Sequence, residues 1–300
     1  GLNISSAFNS VVTIYILIPF IIIPQLLFSG VLIKFDSLHR GEEAHNEYVP
    51  LLGELMPTRW AYEALAVEQY ANNRYQENFF GYDMEISQNN WYAAFLAEAL
   101  RRDLWECSTY IDSSRYADFV AGNLDRLKRY FFELSEIAGF DPPPGELISS
   151  LSPGSFNAAT VEYAENYLDS LAGHFKTVRK INTLIKDSVT SALVASMGKP
   201  AFIELKERHT NNRLREIVLD EFGTDKIVEA RGRYIQKYEP AYKKPVSANG
   251  RAHFYAPYKK IDGAEIDTLW FNLMILWLAS LLLFAALYFK LLKKVVNPAD

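Results

Sequence analysis

The sequence predicts an all-α membrane protein with two transmembrane helices, a re-entrant hairpin after the first, and a helical-bundle insert on the extracytoplasmic side. Three observations carry this expectation. No charged side chain occurs before Lys34, none occurs between Asp267 and Lys290, and the long region between them holds apolar residues at helical spacing. As a helix, residues 268–289 reach across about 30 Å of hydrocarbon at about 1.5 Å per residue. A soluble helix of that length ordinarily carries a charged face. Whole-chain averages conceal the pattern, because the 22% of charged residues lie almost entirely in the middle.

Charge sets the expected topology. Lys290, Lys293 and Lys294 follow the second apolar stretch and place the C-terminus in the cytoplasm. Two spans then return the N-terminal edge to the cytoplasm and leave the middle outside. Apart from those lysines and Asp300, the chain carries 28 basic and 35 acidic residues. An acidic external region argues against nucleic acid as a partner and against docking onto anionic lipid. Gly1 is not an initiator methionine, and no basic segment precedes the apolar run, so the chain reads as part of a longer polytopic protein rather than one led by a signal peptide. Cys107 is the only cysteine, which excludes an intrachain disulfide.

Residues 1–33 form the first expected span, bent where Pro19 and Pro24 remove helix hydrogen bonds. Residues 34–79 read as re-entrant or interfacial helices. Leu51, Leu52, Leu55, Met56, Trp60, Ala61, Leu65 and Val67 make short amphipathic stretches broken at Pro50 and Pro57, with Trp60 and Tyr62 as interfacial aromatics. Residues 80–261 form the insert. In it, Ser113 or Ser114 caps a helix with Phe119, Val120, Leu124, Leu127, Phe131 and Leu134 at helical spacing, ended by Gly139 and the run Pro142-Pro143-Pro144-Gly145.

The longest helix is expected at residues 157–197. Val161, Leu168, Phe175 and Val189 share one heptad position, and Ala164, Leu171, Val178, Ile185 and Ala192 share the other, with Asn182 interrupting the first series. Such a seam predicts a helix bundle. Gly198 and Pro200 break it, and one further helix is expected through Leu205 and Leu214 to Phe222. Residues 234–261 show little periodicity and read as a linker. Residues 262–300 complete the chain with the last span and a cytoplasmic tail.

The chemistry-bearing motifs are few. Neither a phosphate-cradling G-x-x-x-x-G-K-[ST] loop nor a G-x-G-x-x-G turn occurs, and no G-x-S-x-G nucleophile elbow is present. His39 and His45 flank Glu42 and Glu43 at a spacing unlike a metal-ligand pair, so a solvated loop is expected and no metal site. His174 and His209 fall on charged helices, where exposure is the default. No carboxylate stands isolated within either apolar stretch, so no proton-relay acid is expected inside a membrane. The segment reads as not an enzyme.

The most specific local sequence is Pro24-Gln25-Leu26-Leu27-Phe28-Ser29-Gly30, followed by Leu55-Met56-Pro57-Thr58-Arg59-Trp60-Ala61-Tyr62-Glu63-Ala64-Leu65. It resembles the end of the fifth transmembrane helix and the re-entrant segment of G-subfamily ABC exporters, bacterial type, with the closing helix in its expected place. The resemblance covers residues 1–72 and about 262–296; the long helical insert departs from it.

The resemblance implies a permease segment in the bacterial inner membrane, multi-pass, with a periplasmic insert. Its implied partners are the lipid bilayer, a nucleotide-binding domain fused upstream or on a separate chain, and a second permease subunit. The segment itself would carry no cofactor, with ATP and Mg on the nucleotide-binding domain. Val31 and Leu32 match the apolar plug of the translocation path, where dewetting and packing close a pore; a purely lipid-facing role stays open for them. Ile23 and Leu26 would line the cavity. Pro57, Arg59, Trp60, Tyr62 and Glu63 match the re-entrant motif. Arg59 and Glu63, four apart, share a helix face and are expected to pair at the interface as an exposed pair of small energetic weight. The alternative is a two-span sensor or receptor with the insert as a periplasmic ligand-binding domain; an insert that docks partner proteins is compatible with either.

Overall fold

A computed structural model describes residues 2–8, 10–33, 35 and 48–296. They are mostly helical and divide into two compact units, residues 1–72 with 245–300 and residues 73–244. The expected insert began at 80 and ended at 261; residues 73–79 belong to the second unit, and residues 245–261 to the first.

The first unit opens with a short helix, α1 (Leu2–Ala7), and the apolar helix α2 (Val11–Leu27), capped by Ser10, whose side chain accepts from the Thr13 amide. Pro19 and Pro24 lie inside α2, as expected. The helix stops six residues short of the expected span. Its chain turns at Phe28-Ser29-Gly30, where Gly30 has φ +80°, a left-handed conformation that favours glycine. At 17 residues α2 is about 25 Å long.

Helices α3 (Leu51–Glu54) and α4 (Pro57–Ala71) follow, each started by a proline, Pro50 at the N-cap and Pro57 in the first turn. After the second unit, strands β3 (Tyr258–Ile261) and β4 (Ala264–Asp267) lead into α12 (Thr268–Tyr288), and α13 (Leu291–Val296) ends the described chain. Among the described residues α12 is the one helix long and apolar enough to cross a membrane. Asp267 caps it by accepting from the Leu269 amide at 2.8 Å.

The second unit is a helical bundle with one hairpin. Helix α5 (Phe80–Asn90) runs through a π-helical turn at residues 91–96 into α6 (Ala97–Tyr110). Helices α7 (Ala117–Ala138), α8 (Gly145–Ser150) and α9 (Ala158–Met197) follow, then α10 (Lys199–His209) and α11 (Asn212–Val218), and strands β1 (Ile227–Ala230) and β2 (Arg233–Gln236). Leu100, Leu104, Leu124, Leu127, Phe131, Leu168 and Leu171 form its core. Asn157 caps α9 and Gly198 ends it, and Gly139 ends α7 in the left-handed conformation, all at the expected places. Neither the Ser113 nor the Ser114 side chain accepts a capping hydrogen bond from α7, whose N-cap position is Tyr116.

Two expectations are corrected. The single helix through Leu205 and Leu214 is two helices, because Asn211 caps a new start by accepting from the Leu214 amide at 3.1 Å. The supposed linker holds β3 and most of β2, whose partner strands β4 and β1 lie just outside it, so two short hairpins interrupt an otherwise mostly helical chain. β1 pairs antiparallel with β2 around Arg231-Gly232, and β3 with β4 around Asp262-Gly263. All four turn residues have positive φ, which suits a two-residue hairpin turn.

Candidate functional site

The site is built where α4, the β3–β4 hairpin and the first turn of α12 meet within the first unit. Pro57 starts α4, and Thr58 Oγ1 donates to the Gln25 carbonyl at 2.8 Å, fastening its first turn to the end of α2. Trp60 Nε1 donates to the Glu54 carbonyl at 2.8 Å, which holds α3 against α4.

Arg59 and Glu63 are the centre. The expected exposed pair is instead buried, with Arg59 1% and Glu63 0% exposed. The reason is partners far along the chain. Lys259 on β3, itself buried, donates from Nζ to Glu63 Oε1 at 2.7 Å. Asn272 on α12 donates from Nδ2 both to Glu63 Oε2 at 2.9 Å and to the Trp60 carbonyl at 3.0 Å. Arg59 Nη1 stands 3.3 Å from Glu63 Oε2 and 3.8 Å from Glu54 Oε2. The guanidinium lies 3.9 Å over the Trp60 ring and 5.7 Å from the Phe254 ring centre, and its buried Nε and Nη1 make no hydrogen bond. Two cations thus face two carboxylates, and the cluster is neutral as a whole.

Burial alone would raise the Glu63 carboxyl, but Arg59, Lys259 and the hydrogen bonds from Lys259 and Asn272 outweigh it and hold the carboxyl below its ordinary value. Burial pushes the Lys259 ammonium down against the pull of Glu63, and burial raises Glu54, where Arg59 and Lys259 oppose it. Tyr62 is half-buried, with its hydroxyl 3.4 Å from that of Tyr255. Phe254 also closes over the turn after α2: a Cβ on Gly30 would lie 2.7 Å from its ring and from that of Phe35.

The structure therefore brings Pro57, Arg59, Trp60, Tyr62 and Glu63 into one constellation. It does not gather Val31, Leu32, Ile23 and Leu26 against other described elements. Val31 and Leu32 lie in the bend beyond α2, 51% and 65% exposed, and Ile23 and Leu26 are exposed on α2. Lys259, Asn272 and Phe254 were missed by sequence reasoning. One signal was available: Asn272 is a lone amide near the start of a charge-free helix. His39, His45, Glu42 and Glu43 lie outside the described residues, and among the described residues no group of His, Cys, Asp and Glu is arranged to hold a metal ion.

The second unit has a hub of its own. Asp103 on α6 accepts from Arg126 Nε at 2.8 Å and Nη2 at 2.9 Å, and from the Tyr234 hydroxyl at 2.7 Å. Tyr130 accepts from the Tyr234 amide at 2.7 Å, so β2 is fastened to both α6 and α7. All four residues are buried. These contacts hold the hairpin and form no open site.

The fold and cluster define a mostly helical chain in which one bilayer-length apolar helix is anchored at its start by buried, mutually neutralising charges. No protein-family model, curated protein or solved structure matches the chain.

Proposed function

We propose that the chain is the C-terminal part of the permease domain of a G-subfamily-type ABC exporter in a bacterial inner membrane. In this reading α2 and α12 are the last two membrane helices, and α3 with α4 forms the re-entrant segment at the outer face. Residues 73–244 form a periplasmic insert, and Lys290, Lys293 and Lys294 lie in the cytoplasm. The segment is not an enzyme; ATP and Mg act on a nucleotide-binding domain outside it, fused upstream or separate. A second permease subunit completes the path, with Val31 and Leu32 as its plug and Ile23 and Leu26 lining the cavity.

One observation carries the reading. The separated segments that resemble the exporter family, the end of α2, α4 and α12, fold together as one unit. Thr58 ties α4 to α2, and Asn272 with Glu63 ties α12 to α4. Supporting it, α2 buries none of its residues and α12 only Thr268, Phe271 and Asn272 at its start, so both present apolar surface suited to lipid or neighbouring helices. Ser280, the polar residue deeper in α12, donates back to the Leu276 carbonyl at 2.8 Å and needs no water.

The test is to isolate the natural gene product from membranes and ask what accompanies it. The reading expects a P-loop ATPase, on the same polypeptide or copurifying in stoichiometric amount. Isolation of a two-span protein with no ATPase contradicts it and favours the sensor.

A further inference from the structure

Beyond Phe175, helix α9 buries no residue, yet it continues to Met197. One side of this outer half is held by α5, where Arg179 bonds Asn90 and Lys186 bonds Asp83. Another side carries a second seam at heptad spacing. His174, Ile181, Ser188 and Ala195 occupy one position, and Thr177, Leu184 and Ser191 the other. The seam runs about 33 Å without a formal charge among Ile181, Leu184 and the small residues around them. Ile181 and Leu184 are 50% and 58% exposed, with Ile185 beside them at 40%. Thr177 and Ser191 donate to carbonyls one turn earlier, at Gly173 and Asp187, so both can enter a dry contact without losing a hydrogen bond.

Charge identifies the occupant. Lys180 and Asp187 flank the seam seven residues apart on one side, and neither is in an ion pair among the described residues. A two-fold axis between them makes the surface self-complementary. With two α9 helices antiparallel, Ile181 meets the partner's Leu184, Thr177 meets the partner's Ser188, and Lys180 faces the partner's Asp187, each contact occurring twice. Parallel pairing would instead set Lys180 and Asp187 against the partner's Ile185 and the partner's Ala192, leaving both charges unanswered. We propose that the outer half of α9 is a docking surface for a second copy of this chain, packed antiparallel about that axis. The proposal needs two copies and does not rest on the exporter reading.

Cysteine cross-linking of the full chain in membranes tests it. Cys107 is buried and does not compete. Leu184→Cys lies near the axis and should form an intermolecular disulfide by itself. Thr177→Cys alone should not, because its two copies would stand about 16 Å apart along the helices. Mixed with Ser188→Cys, it should. Lys180→Asp should lower the Leu184→Cys yield by about tenfold, since two attractive pairs become repulsive, and adding Asp187→Lys should restore it. Disulfides from Thr177→Cys alone would mean parallel pairing and overturn the proposal. Absence of cross-links at Leu184→Cys would overturn it as well, whether or not an ATPase accompanies the chain.

Discussion

Glu63→Ala should loosen the first unit far more than a surface ion pair would. The substitution leaves Arg59 and Lys259 buried with no carboxylate between them; the nearest remaining anion is Glu54, 3.8 Å from Arg59 Nη1. Asn272 keeps the Trp60 carbonyl and loses Glu63. Breaking a buried pair in this way costs about 3–5 kcal/mol, against about 0–1 kcal/mol for an exposed pair. At about 1.4 kcal/mol per factor of ten, the opening equilibrium rises on the order of a thousandfold. Hydrogen exchange of the chain in detergent micelles reads this locally, and the slowest amides of α4 should lose protection by about that factor. Amides of α7, in the other unit, serve as the control. The sign with pH follows from the same cluster. Because the folded carboxyl is held below its ordinary 4.5, Glu63 contributes stability that is fully present above pH 4.5 and lost as pH falls through the lower folded value. Protection in α4 should fall on acidification below pH 4.5, and Glu63→Gln should flatten that dependence. A loss under about 1 kcal/mol from Glu63→Ala would refute the buried cluster.

Three further outcomes are expected. Gly30→Ala should cost more than Gly139→Ala in thermal unfolding: both need left-handed backbone, worth about 1–2 kcal/mol, but only the Cβ at Gly30 meets aromatic rings, while the space at Gly139 is open. Equal losses would dismiss the packing of Phe254 and Phe35 on that turn. Burial raises the Cys107 thiol to about 12, so alkylation at pH 8 should be negligible in the native chain and rapid in denaturant; fast native labelling would count against the packed core of the second unit. Asp103→Ala should destabilise that unit by about 3 kcal/mol, since it removes the one fully buried carboxylate facing Arg126 and leaves it only the exposed Glu229 and the Asn123 side-chain oxygen, and β1–β2 amides should exchange first; unchanged exchange would contradict the hub.

Much of the helical architecture was legible because its signals are local. Asn157 before α9, Gly198 after it, Pro57 at the start of α4 and Gly139 closing α7 each act within one helical turn. The hairpins were missed although Asp262-Gly263 is a strong turn signal, because four-residue strands give too little alternation to register as strands. The buried cluster was hardest to see. The i,i+4 relation of Arg59 and Glu63 was readable, but their burial depends on Lys259, 196 residues beyond Glu63, and Asn272, 209 beyond it. Helical spacing likewise gave one seam of α9 and hid the second, whose serines and threonine do not score as apolar.

The most direct test of the exporter reading is ATP hydrolysis by the complete transporter reconstituted in liposomes. The account predicts vanadate-sensitive turnover that rises with transported substrate and loses that coupling when Val31 and Leu32 are both replaced by serine. A chain that inserts in the bilayer with no associated ATP hydrolysis would contradict it.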